Sequence, residues 1–78
     1  MIFTLRLLKH NTTLFGGTIT EEVTRFRGPA PEIVQHAVKY AKSLSKQSNE
    51  YTTCELVVWS ESTNDWVNSR IFKAGYEI

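Results

Sequence analysis

Apolar and polar positions alternate near both ends of the chain and follow a helical period in the middle. In residues 2–9 (IFTLRLLK), Phe3, Leu5 and Leu7 fall on one side and Ile2, Thr4, Arg6 and Leu8 on the other. Successive side chains of a strand point to opposite faces, so this is a strand with one apolar face. His10–Gly17 reads as the connection, with Asn11 and the Gly16-Gly17 pair supplying turn chemistry. Residues 18–26 (TITEEVTRF) are rich in β-branched side chains and predict a second strand. Their alternation breaks, because Ile19 and Val23 share a parity that Phe26 does not. A bulge near Glu21-Glu22 reconciles them. Adjacent carboxylates also suit an edge strand, where charge discourages unwanted pairing.

Gly28-Pro29-Ala30-Pro31 ends the strand and starts a helix. Proline suits the first helical position and Glu32 the positive helix end. From about residue 31 to residue 46, at about 100° per residue, Ile33, Ala37, Tyr40, Ala41 and Leu44 form one apolar side, widened by Val34 and Val38. Gln35, His36, Lys39, Lys42, Ser43 and Lys46 form the opposite side, and Gln47–Tyr51 reads as a polar loop.

Residues 52–59 (TTCELVVW) and 66–73 (WVNSRIFK) predict a hairpin around the polar loop Ser60–Asp65. Pairing Trp59 with Trp66 sets Val58 opposite Val67, Leu56 opposite Ser69, Glu55 opposite Arg70 and Cys54 opposite Ile71. Such aromatic and opposite-charge pairs fix strand register. The tail Ala74–Ile78 extends the last strand unless Gly75 ends or kinks it. The element order is ββαββ. The expected fold is α+β, a four-stranded, mainly antiparallel sheet with one amphipathic helix over about 31–46 packed on one face. That helix should cover Leu5, Leu7, Leu56, Val58, Val67 and Ile71, leaving the other face to water, a partner or a second copy.

Seventy-eight residues make one domain, 1–78. An aromatic share of 12% argues against disorder. The formal net charge is only +1, and binding to duplex DNA usually calls for a larger basic excess. Cys54 is the single cysteine, so no internal disulfide can form, and it reads as a small buried hydrophobe. Met1–Leu8 is apolar but carries Arg6, and no segment reaches the about 18–20 apolar residues of a membrane span. A cytoplasmic protein with no membrane contact is expected.

Little here carries reaction chemistry. A Cys or Ser nucleophile needs a base within hydrogen-bond reach. Cys54 should point inward and His36 outward, and His10 falls in a connection with no obvious partner. Two isolated histidines do not make a metal site. Glu21 and Glu22, adjacent in a strand, face opposite sides, and Gly16-Gly17 is not followed by a phosphate-loop pattern. No catalytic residue, metal or cofactor is expected. Two surfaces stand out instead. Lys39, Lys42 and Lys46 lie within about 60° on the helix and could meet phosphates or an acidic protein, although a solvated helix side looks the same. Trp59, Trp66 and Arg70 share a sheet face on the register above, and Trp and Arg are enriched at binding hot spots. The alternative is that the tryptophans clamp the hairpin end beneath the tail, Tyr76 included.

The start MIFTLRLLK, the helix PEIVQHAVKYAKSLSK and the hairpin CELVVWSESTNDWVNSRIFK together resemble, in size and layout, small phage-encoded anti-CRISPR proteins, particularly type I ones. The likeness covers the whole chain and transfers no site residue. It implies a non-enzymatic inhibitor that occludes a nucleic-acid-binding or partner-binding surface of a host complex, though without the strong acidity of DNA mimics. The expected function is accordingly a protein-binding module that blocks a host nucleic-acid-binding or defence complex, using Trp59, Trp66, Arg70, Lys39, Lys42 and Lys46. The competing expectations are a small nucleic-acid-binding domain, which would use the basic helix stripe and the sheet aromatics, and a homodimer through the open face.

Overall fold

In the computed structural model, which describes all 78 residues, the first alternating stretch becomes a long hairpin. Strand β1 (Ile2–Thr12) pairs antiparallel with β2 (Thr18–Pro29). The connection is shorter than the composition suggested. Thr13 closes it, its N–H donating to the Gly17 carbonyl (2.7 Å) and its Oγ1 accepting from the Gly17 N–H (3.0 Å). His10 and Asn11 therefore belong to β1. Helix α1 (Glu32–Gln47) follows, then β3 (Thr52–Ser60), β4 (Asp65–Lys73) and a short β5 (Tyr76–Glu77). The sheet order is β2-β1-β3-β4-β5, every neighbouring pair antiparallel. The sheet thus has five strands where the sequence suggested four.

Two irregularities set which side chains face the helix. In the first hairpin the register passes from Leu7↔Thr24 to Leu8↔Glu22, so Val23 has no partner. This is the expected bulge, one residue beyond the Glu21-Glu22 pair, and it lets Val23 and Phe26 both pack toward the core. The second lies in β4. Trp59↔Trp66 and Val58↔Val67 pair as expected, but Leu56 then meets Arg70, Glu55 meets Ile71 and Cys54 meets Phe72. An extra residue in β4 shifts the lower half of the ladder by one, and Asn68 takes a positive φ of 57° there. A one-residue slip exchanges the faces. Arg70 moves to the helix side, Ile71 to the open side, and Phe72 takes the buried place expected of Ile71.

Helix α1 starts one residue later than expected, with Pro31 as its cap, Glu32 in its first turn and Lys46 in its last, each on the favourable end of the dipole. Its buried spine is Ala37, Ala41 and Ser45, spaced by four. These small side chains let the helix lie close to the sheet, while Ile33, Val34, Val38 and Leu44 pack along its flanks. Tyr40, expected on the apolar side, is exposed and meets Phe26 edge-to-face at 5.6 Å. The core joins Ala37 and Ala41 to Leu5, Leu7, Phe26, Cys54, Leu56 and Phe72. Fully burying a side chain such as Leu7 contributes about 1.5–3 kcal/mol. Val67, expected in the core, is only half-buried.

The tail returns on itself through Ala74 (φ 54°) and Gly75 (φ 90°) to form β5. The Gly75 N–H donates to the buried Ser45 Oγ at 3.0 Å, and a Cβ on Gly75 would stand 3.2 Å from the Lys46 Cβ. Gly75→Ala should therefore destabilise the protein in urea denaturation by more than Gly16→Ala. Gly16 also has a positive φ, but a Cβ there meets nothing within 4 Å. Strain alone costs about 1–2 kcal/mol, and equal losses at the two sites would show that the Gly75–helix contact contributes nothing.

Candidate partner-binding face

Because α1 lies on one side, the other side of the sheet is lined only by its own side chains. Trp59 and Trp66 are direct cross-strand partners there, edge-to-face with ring centroids 5.2 Å apart. Trp66 leans back across the sheet. The Arg6 guanidinium sits 4.4 Å from its ring centroid and that of Arg25 5.3 Å. Arg6 and Arg25 are themselves direct partners on β1 and β2. The result is a row that crosses from β2 to β4. Both indoles are half-buried, neither bare nor entombed. The tail does not cover them, and Tyr76 is 74% exposed on β5.

Like charges directly opposite each other in a sheet repel. Here the shared ring compensates, since a cation over an indole contributes about 0.5–2 kcal/mol. Arg25 also meets Glu22 (Nε to Oε1, 2.8 Å), an exposed pair that contributes little. Arg6 takes part in no ion pair, and its Nε is buried without a hydrogen-bond partner.

Further along the same face a polar chain crosses four strands. His10 Nδ1 is 2.7 Å from Thr20 Oγ1, and His10 Nε2 is 2.8 Å from Glu55 Oε1. Ser69 Oγ donates to Glu55 Oε2. The expectation that His10 has no partner is corrected by its place in β1 directly beside β3. Burial pushes the Glu55 carboxyl up, but the hydrogen bonds from Ser69 and His10 and the charges of His10 and Arg6 outweigh it and hold it below its ordinary value. A serine, a carboxylate and an imidazole suggest a hydrolase, yet their order is wrong. A triad needs the imidazole between the other two. Here the carboxylate is in the middle, so His10 cannot take the Ser69 proton. Cys54 is fully buried, and burial raises its thiol above the ordinary value more than the Lys9 charge lowers it. His36 packs on the Phe26 ring edge-to-face at 5.6 Å. No group of three or more His, Cys, Asp and Glu is placed to hold a metal ion, and no helix is long and apolar enough to cross a membrane.

No family model, curated protein or solved structure matches the chain. What the face can do must therefore be read from its own side chains.

Of the residues the sequence singled out, only Trp59 and Trp66 lie together on this face. Arg70, moved across by the bulge in β4, makes a two-point contact with Glu77 through Nε (2.8 Å) and Nη2 (2.7 Å). It lines an open depression with Glu32, Lys39 and Lys42. Lys39, Lys42 and Lys46 are exposed on α1, on the far side of the sheet from the tryptophans. Sequence reasoning missed Arg6 and Arg25. Arg6 was legible as the polar break on the side opposite Leu5 and Leu7. Arg25 was not, because the bulge at Val23 decides its face.

Glu55 is held low in the folded state, so its contribution to stability is complete above its ordinary value of 4.5 and is lost as pH falls through its folded value. Urea denaturation across that acid range should show wild type losing more stability than Glu55→Gln. Parallel losses would mean the Thr20–His10–Glu55–Ser69 chain does not stabilise the ionised carboxylate.

Proposed function

We propose that this chain is a non-enzymatic module that binds a partner protein through the open sheet face. In the manner of the phage inhibitors whose layout it resembles, it acts by covering a surface that a host nucleic-acid-binding or defence complex needs. The observation that carries the reading is the Trp59–Trp66–Arg6–Arg25 row. It concentrates the side-chain types that dominate binding energy on the one side of the sheet that no element of the chain covers. Half-buried, mutually packed rings of this kind are already ordered, so docking costs less side-chain entropy than it would with free side chains. The polar chain from Thr20 to Ser69 gives the same face a hydrogen-bonding half. Arg70 leaves the set the sequence assembled. The Lys39, Lys42 and Lys46 row remains a separate surface on the opposite side.

A nucleic-acid reading fits less well. Neutralising a phosphate backbone takes several uncompensated cations along one track. The open face instead sets Glu22 and Glu55 among its arginines.

Affinity capture from a bacterial lysate tests the proposal, using wild type and a Trp59→Ala, Trp66→Ala double variant with matched circular dichroism. Partners recovered by wild type should be lost from the variant. Identical recovery by both folded proteins would remove the face from the interaction.

A further inference from the structure

Resting on that protein-binding reading, we infer that Arg6 and Arg25 together form the recognition site for a carboxylate from an acidic segment of the partner protein. The Trp66 ring offsets the repulsion between these two directly opposed guanidinium groups, but it supplies no acid to match their positive charge. Arg25 shares the exposed carboxylate of Glu22. Arg6 forms no ion pair, although its charge reaches Glu55, and its Nε is buried and unsatisfied. Arg27 follows on the same face, opposite Thr4, and also forms no ion pair. The other acid nearby, Glu55, is already bonded to His10 and Ser69.

Stacking explains how the pair remains usable. A guanidinium laid over an indole uses its face, while its N–H donors lie in the plane and stay free to grip a carboxylate by two parallel hydrogen bonds. Trp66 holds the Arg6 guanidinium over its ring, and because Nε is buried the Nη groups are the donors left for a ligand. The size of the charge decides the class of ligand. Arg6, Arg25, Arg27 and Lys73 against Glu22 and Glu55 leave two net positive charges on this face. That suits a carboxylate or two and is too little to hold a polyphosphate track. The Trp66 ring, already met by Arg6, Arg25 and Trp59, also has little face left for a stacking base.

The test is a tryptophan-fluorescence titration of the whole chain with poly-L-glutamate, beside oligothymidylate and sodium chloride at matched ionic strength. A saturable response to polyglutamate is expected, weakened about tenfold by Arg6→Gln, as for loss of one charge-assisted contact. Arg25→Gln should weaken it similarly, and Arg6→Lys partly, since lysine keeps the charge without the fork. A Lys39→Gln, Lys42→Gln double variant on the opposite side should bind as wild type. If Arg6→Gln loses the fold, Arg25→Gln on the exposed edge strand carries the test. No response to polyglutamate, equal affinity of wild type and the Arg25 variant, or tighter binding of oligothymidylate would each overturn the inference. The last result would assign the face to nucleic acid. Lysate capture that still depends on the tryptophans while polyglutamate fails would sink the carboxylate site and leave the docking face standing.

Discussion

A single helix of 16 residues lies against a sheet of five strands, and it can shield only one side. That constraint divides the molecule. On the shielded side, the small residues Ala37, Ala41 and Ser45 let α1 approach closely enough to seal Leu5, Leu7, Leu56 and Phe72 from water. On the other side there is nothing to pack against, so side chains must order one another across the strands. They do so with an indole pair, two guanidinium groups on one ring, and a chain of hydrogen bonds from Thr20 to Ser69. Apolar burial dominates the first side and directional contacts the second.

Both bulges decide which side chains reach the core and which stay on the open side. The one at Val23 turns Phe26 into the core and Arg25 outward beside Arg6. The one beside Asn68 turns Phe72 inward and sends Arg70 to the helix side, where Glu77 of the returning tail neutralises it. Without the first, the open face would lack its second guanidinium. Without the second, Arg70 would face the same side as the tryptophans. Single-residue insertions in a ladder thus choose which cations share the exposed side, because each one reverses the facing of everything beyond it.

The polar groups of this face do not have the order of a serine–histidine–carboxylate triad. Glu55 separates His10 from Ser69, and Cys54 is sealed in the core with its thiol favoured over the thiolate. What remains accessible is an ordered strip of aromatic and cationic surface, set in strands and not in loops. Rigid elements present such groups with less entropy to lose on contact. The lysine row on α1 is a second charged surface, but it points the opposite way, so one flat partner surface cannot meet both.

Local pattern determined much of this molecule: strand alternation, a helix after the Gly-Pro-Ala-Pro break, the Trp59–Trp66 pairing and a broken alternation in the second strand are all readable from neighbours along the chain, whereas whether that break becomes a bulge is not. Those features depend on periodicity and turn chemistry, which act over a few residues. The faces of Arg25, Arg70, Ile71 and Phe72 were not readable, because a bulge is tolerated only when the whole core prefers the shifted packing. Nor was the partner of His10, since Glu55 lies 45 residues away and reaches it only once β1 and β3 pair. The returning tail likewise depended on a glycine meeting Ser45 and Lys46 of a distant helix. Periodicity specifies elements, whereas the facing of a side chain beyond an irregularity is settled by long-range packing that no local pattern contains.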